Sequence, residues 1–290
     1  MKHGTVSRTA NIAGAMRTTH RLYESPVIFD DPWAVSLIDP FWRFICKSRL
    51  LTRYVFGHRL AYLRPIQGTV LCRARFAEDA LEAACRNGVT DYVIMGAGLD
   101  SFALRRAGAL SGLSVWELDA PGTQQHKQSI VKKVHPGPLP NVHYIPLDFE
   151  KENFLGALRS GGLTAGTSTF FSILGLSYYI AQSALVEMLA TIASGFERGT
   201  QLVIDIRVPR SCMPESEWST YDAVGKFTAR RGEGLINQIH PDHVVEVARS
   251  CGFEVLEMLS PDKQFERYFQ GRADDLSPAP DIYLVHLVVA

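Results

Sequence analysis

Residues 91–127 constrain this chain more than any other stretch. Asp91-Tyr92-Val93-Ile94-Met95 is a short apolar run with β-branched members, and Gly96-Ala97-Gly98-Leu99-Asp100-Ser101 follows at once. A helix-length spacer then leads to a second apolar run, Leu113 to Leu118, that closes on Asp119. A strand running into a glycine turn at a helix N-terminus offers bare backbone to a ligand, because glycine permits angles and approaches that a Cβ forbids. Asp119 falls 21 residues after Gly98, where an acidic residue closing the next strand is placed to take the hydroxyls of a ribose. The unit reads as the first half of a nucleotide-type site.

From residue 91 onward the same grammar repeats. Candidate strands are 91–95, 113–118, 142–146, 168–174, 201–206, 253–259 and 282–289. Crossover-length connections separate the first five, which implies a mainly parallel sheet with helices on both faces. The last two are joined by a polar stretch containing Pro and Gly, without a helical stripe, which could return the final strand antiparallel. Residues 207–240, with Pro209, Pro214, Gly225, Gly232 and Gly234, read as an irregular insertion of the kind that covers active sites. Pro241 opens the helix that follows and Gly252 closes it.

The first 90 residues show no strand alternation. Asp30-Asp31-Pro32-Trp33 starts a helix through Leu37. Residues 70–86 form an amphipathic helix with Val70, Ala74, Ala77 and Leu81 on one stripe and Arg73, Glu78 and Glu82 elsewhere, ended by Asn87-Gly88. The division expected is a helical lid over 1–88 and a cofactor-binding domain over 89–290, with 207–240 as its cap.

Composition narrows the function classes. Lys plus Arg and Asp plus Glu number 30 each, so no net field favours nucleic acid or an anionic membrane, and none opposes a homo-oligomer. Cys46, Cys72, Cys85, Cys212 and Cys251 are scattered without a Cys-x-x-Cys pair, which suits a reducing cytoplasm better than a disulfide framework or zinc knuckle. The N-terminal residues Met1 to Thr5 lead into a polar stretch without a signal-peptide core. No run approaches the roughly 20 apolar residues a membrane span needs. There is no Gly-x-Ser-x-Gly turn, Walker loop or His-Glu-x-x-His, so covalent hydrolysis and phosphoryl transfer are poorly supported.

Several residues admit two readings. The dinucleotide fingerprint places a third glycine at position 101, where this chain has Ser101. That substitution argues against a diphosphate, whereas a cofactor without phosphate does not need the glycine. Asp148-Phe149 ends the third strand, where an acid and an aromatic ring can bind and cover an adenine; Asp148 could equally cap the next helix. Arg75 could clamp a carboxylate in a fork, although an arginine on that helix alone reads as a solvated residue. Gln124 and Lys127 read as helix-opening and surface residues, and Glu117 as paired or at a pocket edge. Tyr178 and Tyr179 line a pocket or belong to the core. His240 and His243 have a metal-like spacing, but Pro241-Asp242 makes this a helix start without a third ligand, so no metal is expected.

Taken together, Arg73-Ala-Arg75-Phe76-Ala-Glu-Asp79, Val93 to Arg105, Glu117-Leu-Asp119-Ala-Pro121-Gly-Thr-Gln124, Pro146-Leu-Asp148-Phe149-Glu150 and Phe171 to Tyr179 resemble the bacterial leucine carboxyl methyltransferase-like family. That family includes polyketide-tailoring O-methyltransferases, and the similarity covers nearly the whole chain. The resemblance implies S-adenosyl-L-methionine as cofactor, with Arg75 on its carboxylate, Gly96 and Gly98 facing its amino-acid part, Asp119 on the ribose, and Asp148 with Phe149 on the adenine. It implies an α/β, class I methyltransferase Rossmann-like seven-stranded mixed sheet of order 3-2-1-4-5-7-6 with one antiparallel strand. The eukaryotic protein-carboxyl branch has a glutamate where this chain has Leu174, which leans toward a small-molecule acceptor.

The activity implied is in-line methyl transfer to a carboxylate or hydroxyl oxygen of a small molecule such as a secondary metabolite. The catalytic residue is unassigned. A hydroxyl acceptor would want a base, for which His240, His243 and Tyr178 are candidates. The alternatives are an NAD-dependent oxidoreductase and a non-catalytic, cofactor-binding member of the fold.

Overall fold

The computed structural model describes residues 8–106, 112–149, 151–164 and 166–290; Glu150 and residues 1–7 lie outside them. Seven strands form one sheet: β1 Asp91–Met95, β2 Ser114–Asp119, β3 Val142–Pro146, β4 Thr169–Ile173, β5 Gln201–Arg207, β6 Phe253–Leu259 and β7 Ile282–Val289. Their order is β3-β2-β1-β4-β5-β7-β6. Strands β1 to β5 pair in parallel, with Val93 opposite Trp116 on one side and Phe171 on the other. β7 runs antiparallel to both β5 and β6. This is the expected α/β architecture, and the final strand returns antiparallel, as its polar, Pro- and Gly-containing connection suggested.

The central strands are buried on both faces, so their residues alternate between two cores. Val93, Met95, Leu118 and Phe171 face one, packed against the helices Phe154–Ser160, Gln182–Gly195 and Val244–Ser250. Tyr92, Ile94, Phe170 and Val203 face the other, with Leu71, Phe76 and Leu81 of the helix Arg64–Arg86. A third cluster joins the N-terminal helices to the rest. Ile12, Met16, Leu37 and Phe56 pack there with Val131 and with Val224 and Phe227 from the insertion.

Two segments expected to be irregular contain helices. Residues 207–240 hold the helix Trp218–Ala229, whose buried face is only Val224, Phe227 and Thr228, too short a stripe to stand out. The tail connection holds Pro261–Tyr268, whose one buried residue is polar. There Gln264 donates to the carbonyls of Leu259 and Ile282 at 3.0 and 2.8 Å, tying the end of β6 to the start of β7. An inward face built on a glutamine leaves no apolar periodicity to read. Among the described residues, no helix is long and apolar enough to cross a membrane.

The long helix passes very close to the segment before β7. A Cβ at Gly68 would lie 1.9 Å from the carbonyl oxygen of Ser277, and the neighbouring Thr69 hydroxyl accepts the Ala279 N–H at 2.8 Å. Backbone cannot yield as a flexible side chain can. Gly68→Ala is therefore expected to destabilise the fold by about 1–3 kcal/mol; a thermal melt matching the wild type would show that the contact relaxes freely.

Candidate functional site

A cavity of about 500 Å³ opens at the carboxyl ends of β1, β2 and β4, the crevice where open α/β sheets hold their ligands. Its floor is the glycine turn. Gly96 and Gly98 have φ of +72° and +50°, the left-handed region that residues with a Cβ rarely enter. The N–H groups of Gly96 and Ala97 donate to the Leu118 carbonyl at 2.8 and 3.0 Å, which fastens the turn to β2. Asp119 bridges the two loops: one carboxylate oxygen accepts the Gly98 N–H and the other the Ala120 N–H. Burial pushes its pKa up, against the downward pull of those two N–H groups.

Behind this floor stands a buried pair: Glu117, expected to be paired or at a pocket edge, and Lys127, expected at the surface. Lys127 Nζ lies 2.6 Å from Glu117 Oε2, and both side chains are closed from solvent. Asp148 and Phe149, beyond β3, also line the cavity. Asp148 pairs with Lys151 at 3.0 Å, and it does not cap the following helix. Asn153 does so, accepting the N–H groups of Leu155 and Gly156.

The arginine of the long helix that reaches the cavity is Arg73, not Arg75. Arg75 is half exposed and paired with Asp79, one turn on, and it lines only a separate surface cleft. Arg73 Nη1 donates to Asp205 Oδ2 at 2.7 Å and to the Tyr178 hydroxyl at 2.8 Å. The other Asp205 oxygen accepts the Gly175 N–H at 2.7 Å. Gly175 has φ +73°, and a Cβ there would stand 2.7 Å from Arg73 Nη2, so the turn after β4 is shaped around the guanidinium. Arg73, expected off the apolar stripe, in fact borders it. Residues 73 and 77 share a face one turn apart, and Ala77 lies on the inward stripe, whereas 75 points away.

Tyr178 lines the cavity. Burial and the Asp205 charge hold its hydroxyl well above the usual tyrosine range, and that hydroxyl steadies Arg73. His240 and His243 lie outside the cavity lining, with rings 5.4 Å apart and His240 beside Asp242 at 3.6 Å. His240 caps and His243 ends the short turn Pro241–His243, which lies between the buried Ile239 and Val244. Among the described residues, no group of three His, Cys, Asp or Glu could hold a metal ion.

The chain's helical start and its insertion also line the cavity. Arg17 donates to Asp31 at 2.8 Å and to the Leu99 carbonyl at 2.7 Å, pinning the helix Arg8–Tyr23 to the glycine turn. The Arg8 N–H and the Thr9 hydroxyl both donate to Glu233 of the insertion. Val224, Phe227 and Leu235 add an apolar wall.

The sequence profile of the leucine carboxyl methyltransferase family matches residues 10–193. The chain belongs to that family. A relative from Bacillus subtilis, YktD, provisionally named an S-adenosyl-L-methionine-dependent methyltransferase, is 28% identical across 99% of both chains. One from Mycobacterium avium with the same provisional name is 26% identical over 95% of this chain and 91% of its own. Among solved structures, a DUF574-family protein from Streptomyces avermitilis superposes with a TM-score of 0.64 over 98% of each chain at 10% identity. A provisionally named methyltransferase from Thermobifida fusca gives 0.58 over 97% of each at 14%. At those identities the likeness is one of fold. The leucine carboxyl methyltransferase match spans Arg73, the glycine turn, Asp119, Asp148 and Tyr178, and it stops short of Asp205 and the insertion.

Proposed function

We propose that the protein methylates an oxygen, most simply a carboxylate, on a small-molecule acceptor held in this cavity. Family membership makes it a methyltransferase that uses S-adenosyl-L-methionine, and nothing favours the dinucleotide reading. Ser101, in the third glycine's place, is buried and accepts a hydrogen bond from Arg105 at 2.8 Å. Nor is the cavity filled by side chains, as a member of the fold that had lost its acceptor would have it.

The lining residues fit the cofactor. Asp119 would take the ribose hydroxyls, Asp148 and Phe149 the adenine, the Gly96–Gly98 turn the amino-acid part, and Arg73 its carboxylate, in the role first expected of Arg75. When bound, S-adenosyl-L-methionine supplies a methyl group on a sulfonium, a leaving group already activated by its positive charge. The task left to the protein is alignment and the exclusion of water. We read residues 1–88 and the insertion as the lid that does this over the domain from 89 onward, in a cytoplasmic enzyme.

One observation carries the choice of acceptor. Among the described residues no histidine lines the cavity. Its two phenols are held out of range, Tyr179 at about 12 and Tyr178 well above the usual value. A carboxylate acceptor is already anionic at neutral pH and needs neither a histidine nor a phenol as base.

The test is incubation with methyl-labelled S-adenosyl-L-methionine and a metabolite extract, followed by mass spectrometry. Label in a small molecule, lost on mild alkaline treatment as an ester would lose it, is the expected result. Alkali-stable label on oxygen or nitrogen would refute the carboxylate. Asp119→Ala is expected to weaken S-adenosylhomocysteine binding by about 1–3 kcal/mol in calorimetry. Wild-type affinity would remove Asp119 from the ribose role.

A further inference from the structure

Arg207 ends β5 and Asp281 stands immediately before β7. Each is only 4% exposed, and both line the cavity. Arg207 Nε donates to Asp281 Oδ2 at 2.7 Å, and its guanidinium carbon lies 3.7 Å from the centre of the Tyr221 ring. Its backbone is fixed as well: the Arg207 carbonyl accepts the Ile239 N–H at 2.9 Å, and the Asp281 carbonyl accepts the Val208 N–H at 2.8 Å. Yet Nη2, fully buried, has no hydrogen-bond partner. A buried cationic N–H left without an acceptor is costly, and a ligand that draws the guanidinium toward the cavity would relieve that cost.

The strand order puts Arg207 on the far side of β4 from Asp119 and Asp148. Of the residues assigned to the cofactor, Arg73 comes nearest, through Asp205 two residues earlier on β5, and Arg207 itself is given no cofactor role. Around it the cavity is walled by Val224, Phe227, Leu235 and Ile282. We propose that Arg207 is the specificity-determining cation of the acceptor site, binding the carboxylate of an otherwise apolar small molecule while Asp281 orients the guanidinium. A guanidinium edge matches a carboxylate in geometry. With Asp281 offsetting its charge, the pair suits a monoanion and not a phosphate dianion. This inference rests on the reading that the cavity holds cofactor and acceptor side by side.

The test uses the full chain saturated with S-adenosylhomocysteine and titrates 3-phenylpropionate, octanoate and their primary amides by calorimetry. Wild type is expected to bind the carboxylates about tenfold or more tightly than the amides. Arg207→Gln erases that preference and retains S-adenosylhomocysteine affinity. Asp281→Asn keeps the size and an acceptor oxygen but removes the opposing charge, and it tightens carboxylate binding several-fold; it serves if Arg207→Gln does not fold. Equal or absent binding of acid and amide by the wild type overturns the proposal. So does an undiminished preference in an Arg207→Gln protein that still binds S-adenosylhomocysteine, or no gain in Asp281→Asn. Failure of the wild type to bind S-adenosylhomocysteine at all sinks the cofactor reading first, and this proposal with it.

Discussion

Arg73→Met is expected to lose S-adenosylhomocysteine binding and about 3–5 kcal/mol of stability, whereas Arg75→Ala changes stability by no more than about 0.5 kcal/mol and leaves binding intact. Both arginines sit on one helix, two residues apart, and both have an acidic partner. Their surroundings differ. The Arg75–Asp79 pair is half exposed on both sides, so water and salt screen it. Asp205 is fully buried, and it holds the Gly175 N–H as well as Arg73. Removing the guanidinium leaves a carboxylate with no counter-charge in the sheet's core and loosens the turn after β4. Calorimetry and thermal unfolding of the two variants side by side decide the matter, and normal binding by Arg73→Met would move the site elsewhere.

Lys127→Met should show a second large effect, this time dependent on pH. Glu117 and Lys127 are both shut away from water behind Asp119, and Glu117 Oε1 has no partner at all. Burial already pushes the Glu117 pKa up, and Lys127 is the main influence holding it down. Without the lysine, ionised Glu117 is unpaired in the core, at a cost of about 3–5 kcal/mol near neutrality. As pH falls through the raised pKa of the folded variant, the folded protein takes up a proton that the unfolded chain does not yet bind. The variant therefore regains stability toward acid, relative to its own value near pH 7. Glu117→Gln in the same background should restore most of the loss without a change of pH. Urea unfolding at pH 5 and pH 8 gives the comparison. A Lys127→Met protein as stable as wild type at the higher pH would show that the pair contributes nothing.

The sheet was legible because each strand is a short β-branched run between turn formers, and bounds such as 142–146 and 282–289 were recovered to the residue. The floor of the site was legible for the same reason. Gly96, Gly98, Asp119, Asp148 and Phe149 stand at strand ends, and parallel topology gathers strand ends at one edge. What sequence concealed depends on contacts between distant segments. Arg73 gains its meaning from Asp205 and Tyr178, over a hundred residues away. Lys127, by composition a surface residue, is drawn inward by Glu117. His240 and His243 looked chemically apt, but the turn that carries them faces solvent. The helix Pro261–Tyr268 was silent because its inward residue is Gln264.

The insertion's wall has a consequence for descent. Positions proposed to meet the donor, from Arg73 to Phe149, lie within residues 10–193 that match the family, whereas Arg207, Val224, Phe227 and Ile282 lie beyond them. One part of the gene can stay under constraint while the other drifts. Membership of the family thus speaks for the methyl source more than for the recipient, and proteins that share residues like 10–193 can differ in the acceptor they take.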